Sequence, residues 1–327
     1  MFYSSFIKSS FIYTLLFYLF YCPHSFANEY VNSEATLHDL QQLSSDKLQG
    51  RKVGTTGSLL AQSYIISHFR KYQLQSFSTQ FQHPFFFLRG FSSFSGTNLV
   101  GYLEGREYND KLIVITAHYD HLGGRSSHIY NGANDNASGV AALLNLARYF
   151  SAHQPAYNLV FVATDAEESG LQGAKALIDQ ALFDIANVVL NINLDMLAHG
   201  TRKRTLYVAG TKENKQFKPL IKRLSNEFKT NQFKLRMGHD NRSNKRSSIA
   251  QSVNWKNASD HAVFRKLGIP YLYFGVEINQ DYHSIKDTFE RIQPDFYIRA
   301  VTVITKILDE LQQLQPEEFD SNFVNLD

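Results

Sequence analysis

Seven residues carry the chemistry this sequence could perform. His118, Asp135, Glu168, Asp195 and His283 fall at expected strand-to-loop transitions, and Asp120 and Glu167 stand beside two of them. Two imidazoles and three carboxylates suit zinc, with cobalt or manganese able to substitute. Holding two divalent cations close together requires negative charge between them. Asp135, in a glycine-flanked loop, could approach both. Asp120 lies two residues beyond His118, so on an extended chain both side chains point the same way. That placement suits a partner holding the imidazole in one tautomer. Glu167 and Glu168 are neighbours, so a loop can aim one at a metal and leave the other free as a general base.

Such a set needs strand ends to hold it. Residues 112–117, 157–164, 188–194 and 270–274 are short apolar, β-rich runs, each followed by one or more of the candidates. Helical spacing marks residues 35–48, 58–72, 138–150, 169–180, 215–229, 260–267 and 294–314, while 75–94 and 97–103 read as further strands. Residues 238–254 are polar and irregular and read as a mobile excursion near the site. Strands alternating with helices predict an α/β fold, a three-layer α/β/α sandwich around a mixed, mostly parallel sheet. Open sheets of this kind place their chemistry at the carboxyl ends of the strands. No repeat or linker divides the chain. Residues 28–315 are expected to form one domain, followed by an acidic, frayed tail at 316–327.

Composition narrows the function classes. The chain has 327 residues, 43% hydrophobic and 19% charged, enough for a substantial core. A net charge of +3 argues for neither nucleic acid nor an anionic membrane. The basic run 236–246 lacks interleaved aromatics and reads as a solvated loop. At the N-terminus, Lys8 precedes an apolar segment at 11–22, and Ser25 and Ala27 supply the small residues a signal peptidase needs. Residues 1–27 are therefore read as a cleaved secretory signal, with an uncleaved anchor as the alternative. The expected location is periplasmic or secreted, with no stable membrane insertion after cleavage. Cleavage after Ala27 removes the one cysteine, Cys22, and with it thiolate zinc sites and cysteine nucleophiles.

Taken singly, each candidate has an ordinary reading. Asp135 could cap a helix, Glu167 and Glu168 could be a solvated first turn, and Asp195 could open a turn. His118 could be a hydrogen-bonded core histidine. His121 and His261 read as pocket-wall or structural residues, His128, His199 and His239 as loop residues, and Ser259 as a helix cap. Five candidates in order, each after a strand, favour metal over five coincidences.

The segments HYDHLG, NGANDNASG, ATDAEESGLQG, NLDM and YHSIKDT, with GRKVGTTGS before them and SDHAVFRKLGIP among them, carry a resemblance. They resemble the bacterial zinc-dependent aminopeptidases of the leucyl aminopeptidase and aminopeptidase Y type. Glutaminyl cyclases and transferrin-receptor-like ectodomains belong to the same family. The resemblance runs from about Gly50 to the C-terminal helix. It implies a zinc exopeptidase fold with two zinc ions. His118, Asp135 and Asp195 would hold one ion, and Asp135, Glu168 and His283 the other, with Asp135 as the bridge. It further implies Glu167 as general base, Asp120 as the residue orienting His118, and Tyr282 as an oxyanion donor in the position some relatives use. The implied reaction is attack of a metal-activated hydroxide on the first peptide bond of a substrate with a free amino terminus.

Two other functions compete. A glutaminyl cyclase on the same scaffold would favour a tryptophan-rich pocket, whereas Trp255 is the one tryptophan and Tyr282 stands beside His283. A non-catalytic binding ectodomain would be expected to have lost ligands, and none of the five is missing. There is no G-x-S-x-G elbow and no H-E-x-x-H helix.

Overall fold

The computed structural model describes residues 29–126, 128–240 and 254–320. The segment read as a signal and most of the polar stretch 238–254 lie outside the described residues. Among the described residues the strands are β1 (Gln82–Arg89), β2 (Ser92–Leu103), β3 (Tyr108–His118), β4 (Gly123–Arg125), β5 (His128–Tyr130), β6 (Tyr157–Thr164), β7 (Val188–Leu194), β8 (Thr205–Ala209), β9 (Lys234–Met237) and β10 (Tyr271–Gly275). The α-helices are α1 (Ser33–Leu43), α2 (Thr56–Lys71), α3 (Ser138–Ala152), α4 (Gln172–Asp179), α5 (Lys218–Glu227), α6 (His261–Lys266) and α7 (Pro294–Leu311).

Eight strands form one sheet in the order β1-β2-β6-β3-β7-β10-β8-β9. Its centre, β6-β3-β7-β10, is parallel throughout, and antiparallel pairings flank it at β1-β2-β6 and β10-β8. The centre is covered on both faces, which is why β3 reads as an unbroken apolar run rather than an alternating one. Its successive side chains still diverge. Ile113, Ile115 and Ala117 join the large core beneath α1, α2, α3, α5 and α7. Leu112 and Val114 face a smaller core with Val160, Val162, Leu177 of α4 and Phe264 of α6. This is the expected mixed-sheet α/β/α sandwich.

Several details differ from the sequence reading. Only Gln82–Arg89 of the aromatic stretch 75–94 makes a full strand before the β2 turn. The strands β8 and β9 were not expected, because each is short and β9 leaves Arg236 and Met237 exposed at the sheet edge. The C-terminal segment is not simply frayed. Pro316–Phe319 forms a helical turn, and Phe319 is buried against Tyr157 and Phe217. Packed structure thus passes residue 315. No described helix is long and apolar enough to cross a membrane.

Candidate metal centre

Because β6, β3, β7 and β10 are parallel neighbours, their carboxyl ends lie side by side. His118 is the last residue of β3, and Asp195 is the first beyond β7. Glu167 and Glu168 follow the end of β6, and His283 lies in the loop after β10. The backbone turns sharply at these exits. Ala166, Met196 and His283 adopt φ values of +55, +59 and +52°. Left-handed backbone costs an L-residue about 1–2 kcal/mol, so its occurrence at His283 and close to Glu168 and Asp195 is held by the surrounding structure.

The NGANDNASG loop is fastened residue by residue. Asn136 donates to the Leu194 carbonyl at 2.9 Å, and its Oδ1 accepts from the Met196 amide at 3.1 Å, locking the loop to the turn that carries Asp195. Asn134 and Ser138 accept from the amides of Ala198 and Leu197. From the other side, the two carboxylate oxygens of Asp287 accept from the amides of Asn134 and Asp135 at 2.9 and 3.0 Å. Arg51, fully buried, donates to the carbonyls of Tyr119, Leu43, Asn131 and Gly132. The roles of Asp287 and Arg51 were not foreseen, since both act on backbone groups distant in sequence.

All five ligand candidates converge. His118 Nε2 lies 3.3 Å from Asp135 Oδ1 and 3.4 Å from Asp195 Oδ1. His283 Nε2 lies 3.2 Å from Asp135 Oδ2 and 3.2 Å from Glu168 Oε2. Donors about 2.0–2.1 Å from a tetrahedral zinc stand roughly 3.3–3.4 Å from one another, so the histidine–carboxylate pairs of both triads have the spacing of donors that share an ion. Each uses a different oxygen of Asp135. Asp195 Oδ1 is a buried acceptor with no hydrogen-bond donor among the described residues, a state a cation would relieve.

The Asp120 reading changes in detail. The Nδ1–H of His118 donates to the Asp120 backbone carbonyl at 3.1 Å, which leaves Nε2 free toward Asp135 and Asp195. The Asp120 carboxylate is 3.8 Å from Nδ1, too far for a hydrogen bond, and instead accepts from the amides of Glu167 at 3.0 Å and Glu168 at 3.4 Å. Asp120 therefore holds His118 through its main chain and the acidic pair through its side chain.

The electrostatics match an anionic socket. Burial opposes charge on both His118 and His283, yet the neighbouring carboxylates win. His118 is held well above the usual histidine value by Glu167, Asp135 and Asp195. His283 is pushed up to about 10 by Asp135 and Glu168. Burial also raises Asp135, but the two histidines draw it well below the ordinary carboxylate range. Burial pushes the Glu167 carboxyl well above its usual value, opposed by His118 and reinforced by Asp195, Asp260 and Glu168.

The sequence profile of peptidase family M28 matches residues 98–308, more than half of the chain. The chain belongs to peptidase family M28. It is 25% identical over 232 residues to Aminopeptidase YwaD of Bacillus subtilis (strain 168), covering 68% of this chain and 46% of that one. The first curated relatives it matches, described as probable zinc metalloproteases, are spanned over only 22 to 38% of their own length. Two solved structures show the same fold. A zinc aminopeptidase from Bacillus subtilis superposes with a TM-score of 0.65 at 17% identity, covering 87% of this chain and 97% of that one. A glutaminyl cyclase from Porphyromonas gingivalis gives 0.67 at 15% identity, covering 85% and 98%.

In this M28 chain the two triads open onto a cavity of about 420 Å³ whose other walls include Met196, Trp255, Tyr273, Ile278 and Tyr282. The Tyr282 ring stacks on His283 at 3.9 Å. His239 is a loop residue, as expected, and is sandwiched between Trp255 at 3.8 Å and Tyr207 at 4.3 Å, where burial lowers its pKa to about 4. His261 is a buried support, donating from Nε2 to the Trp255 carbonyl at 2.9 Å. The Ser259 hydroxyl does not cap α6 but accepts from Asn193 at 2.9 Å. These walls join residues from β10, its following loop and the segment before α6, an assembly no local motif announces.

Proposed function

We propose that this chain is an exported aminopeptidase of the M28 family working with two zinc ions. His118, Asp135 and Asp195 hold one ion, Asp135, Glu168 and His283 the other. The observation that carries the reading is the shared Asp135, with one oxygen 3.3 Å from His118 Nε2 and the other 3.2 Å from His283 Nε2. Zinc supplies Lewis acidity that makes water nucleophilic at neutral pH. Glu167 lines the same cavity and is not needed by either triad. Its carboxylate takes the proton of the attacking water and returns it to the departing amine, with a basicity raised above that of an exposed glutamate. Tyr282, packed on His283, donates its hydroxyl to the developing oxyanion. The aromatic and aliphatic walls receive the side chain of the first residue.

The fold is equally compatible with a cyclase, so the assignment rests on the site. The sole tryptophan lies in a stack with His239, and a tyrosine stands beside His283. The test is to give the chain from Asn28 onward short peptides with free, acetylated or N-glutaminyl ends, following products by mass with and without a chelator. Chelator-sensitive, stepwise loss of first residues from free peptides alone is expected. Loss of ammonia from N-terminal glutamine without shortening would move the assignment to the cyclase.

A further inference from the structure

His121, read from sequence as a pocket-wall or structural residue, is tied directly to a candidate ligand. Its side chain is buried, with Nδ1 2.8 Å from Glu168 Oε1 and 3.9 Å from Asp135 Oδ2. With Asp135 and Glu168 it forms a cluster that could itself hold an ion. The distances separate the two possibilities. Donors that share a zinc stand about 3.3–3.4 Å apart, as His283 Nε2 and Glu168 Oε2 do at 3.2 Å. A separation of 2.8 Å is that of a charge-assisted hydrogen bond. The two carboxylate oxygens of Glu168 thus have different partners.

Two further features of the ring's surroundings accompany this bond. Its Nε2 is buried with no partner among the described residues, an expense that a residue serving only as filler, such as phenylalanine, would avoid. The ring also lies against Gly132, at φ +57°, where a Cβ would meet first the Asp135 carbonyl oxygen and then, at 2.6 Å, His121 Cδ2. The same loop that delivers Asp135 therefore leaves the imidazole its seat.

We propose that His121 is a positioning residue for the second ion. Its Nδ1–H ties Oε1 of Glu168 and leaves Oε2 as the single oxygen presented beside His283. The inference rests on the two-ion reading above. It concerns the Asp135–Glu168–His283 half, because the polar partners of His121 among the described residues are Glu168 and Asp135.

The test strips the full chain with a chelator and titrates it with Co²⁺, followed by its absorption bands, and with Zn²⁺ by calorimetry. Wild type is expected to take two ions. His121→Phe keeps the ring and loses the donor, and is expected to weaken the second ion by about 10–100-fold while leaving the first unchanged. His121→Asn, whose amide nitrogen can stand near Nδ1, is expected to restore most of that loss. An unchanged second affinity in the Phe variant, loss of both ions, or an Asn variant no better than Phe would each overturn the role. A wild type that takes one ion would instead remove the two-ion reading beneath it. Independently of any variant, ¹⁵N-histidine spectra of the zinc-loaded wild type are expected to show a proton on His121 Nδ1. Its disappearance on loading would make His121 a ligand and end the proposal.

Discussion

The two halves of the candidate metal centre have the same kinds of donor but are built differently. His118 and Asp195 sit at the very ends of β3 and β7, with side chains only 2 and 9% exposed. Glu168 and His283 sit on loops beyond their strands, 13 and 35% exposed. The first half inherits its geometry from the sheet. The second must be fastened from outside, by the Asp120 carboxylate beneath the amides of Glu167 and Glu168 and by His121 beside Glu168. Similar donors thus stand at unequal depth in the two halves.

The comparison can be broken in four ways. Asp135→Ala removes the oxygen facing each half, so both ions and all turnover above background are expected to be lost, read by metal analysis and peptide assay. One ion retained at full strength would show that Asp135 is no bridge. Glu167→Gln is expected to keep both ions and lose turnover by about 10²–10⁴-fold; unaltered kinetics would take Glu167 out of the reaction. His283→Ala is expected to lose the second ion alone, and titration with a chelator should likewise draw ions from wild type in two steps, the exposed half first. Simultaneous release would erase the distinction between the halves. Asp287→Asn leaves one good acceptor for two backbone amides and is expected to weaken both ions together by about 10–100-fold, since it acts on the shared loop. A loss confined to one half would show that Asp287 acts elsewhere.

The difference between the halves also explains what the sequence could reveal. His118 and Asp195 were legible because an apolar run stops where each begins, and a buried parallel strand writes that run without interruption. The central sheet was legible for the same reason. Strands β8 and β9 were not, since a four- or five-residue strand near an edge carries too little pattern to register. The proper function of the Asp120 carboxylate escaped because the chain leaves extended geometry after His118. Arg51, Asp287 and His239 escaped because their partners are carbonyls, amides and rings brought near only by the completed fold. A sequence lists side chains, and these residues answer mainly to main chain.

Arg51 carries one more implication. Among the described residues it donates to four backbone carbonyls and to no carboxylate, while remaining charged, its pKa lowered by burial only to about 10. Asp287, Asp135, Asp120 and Glu168 all feel that charge. A permanent cation is thus wired into the frame below the acidic socket, independent of whatever occupies the socket itself. The loop that carries Asp135 is therefore anchored by bonds that use none of the candidate ligand side chains.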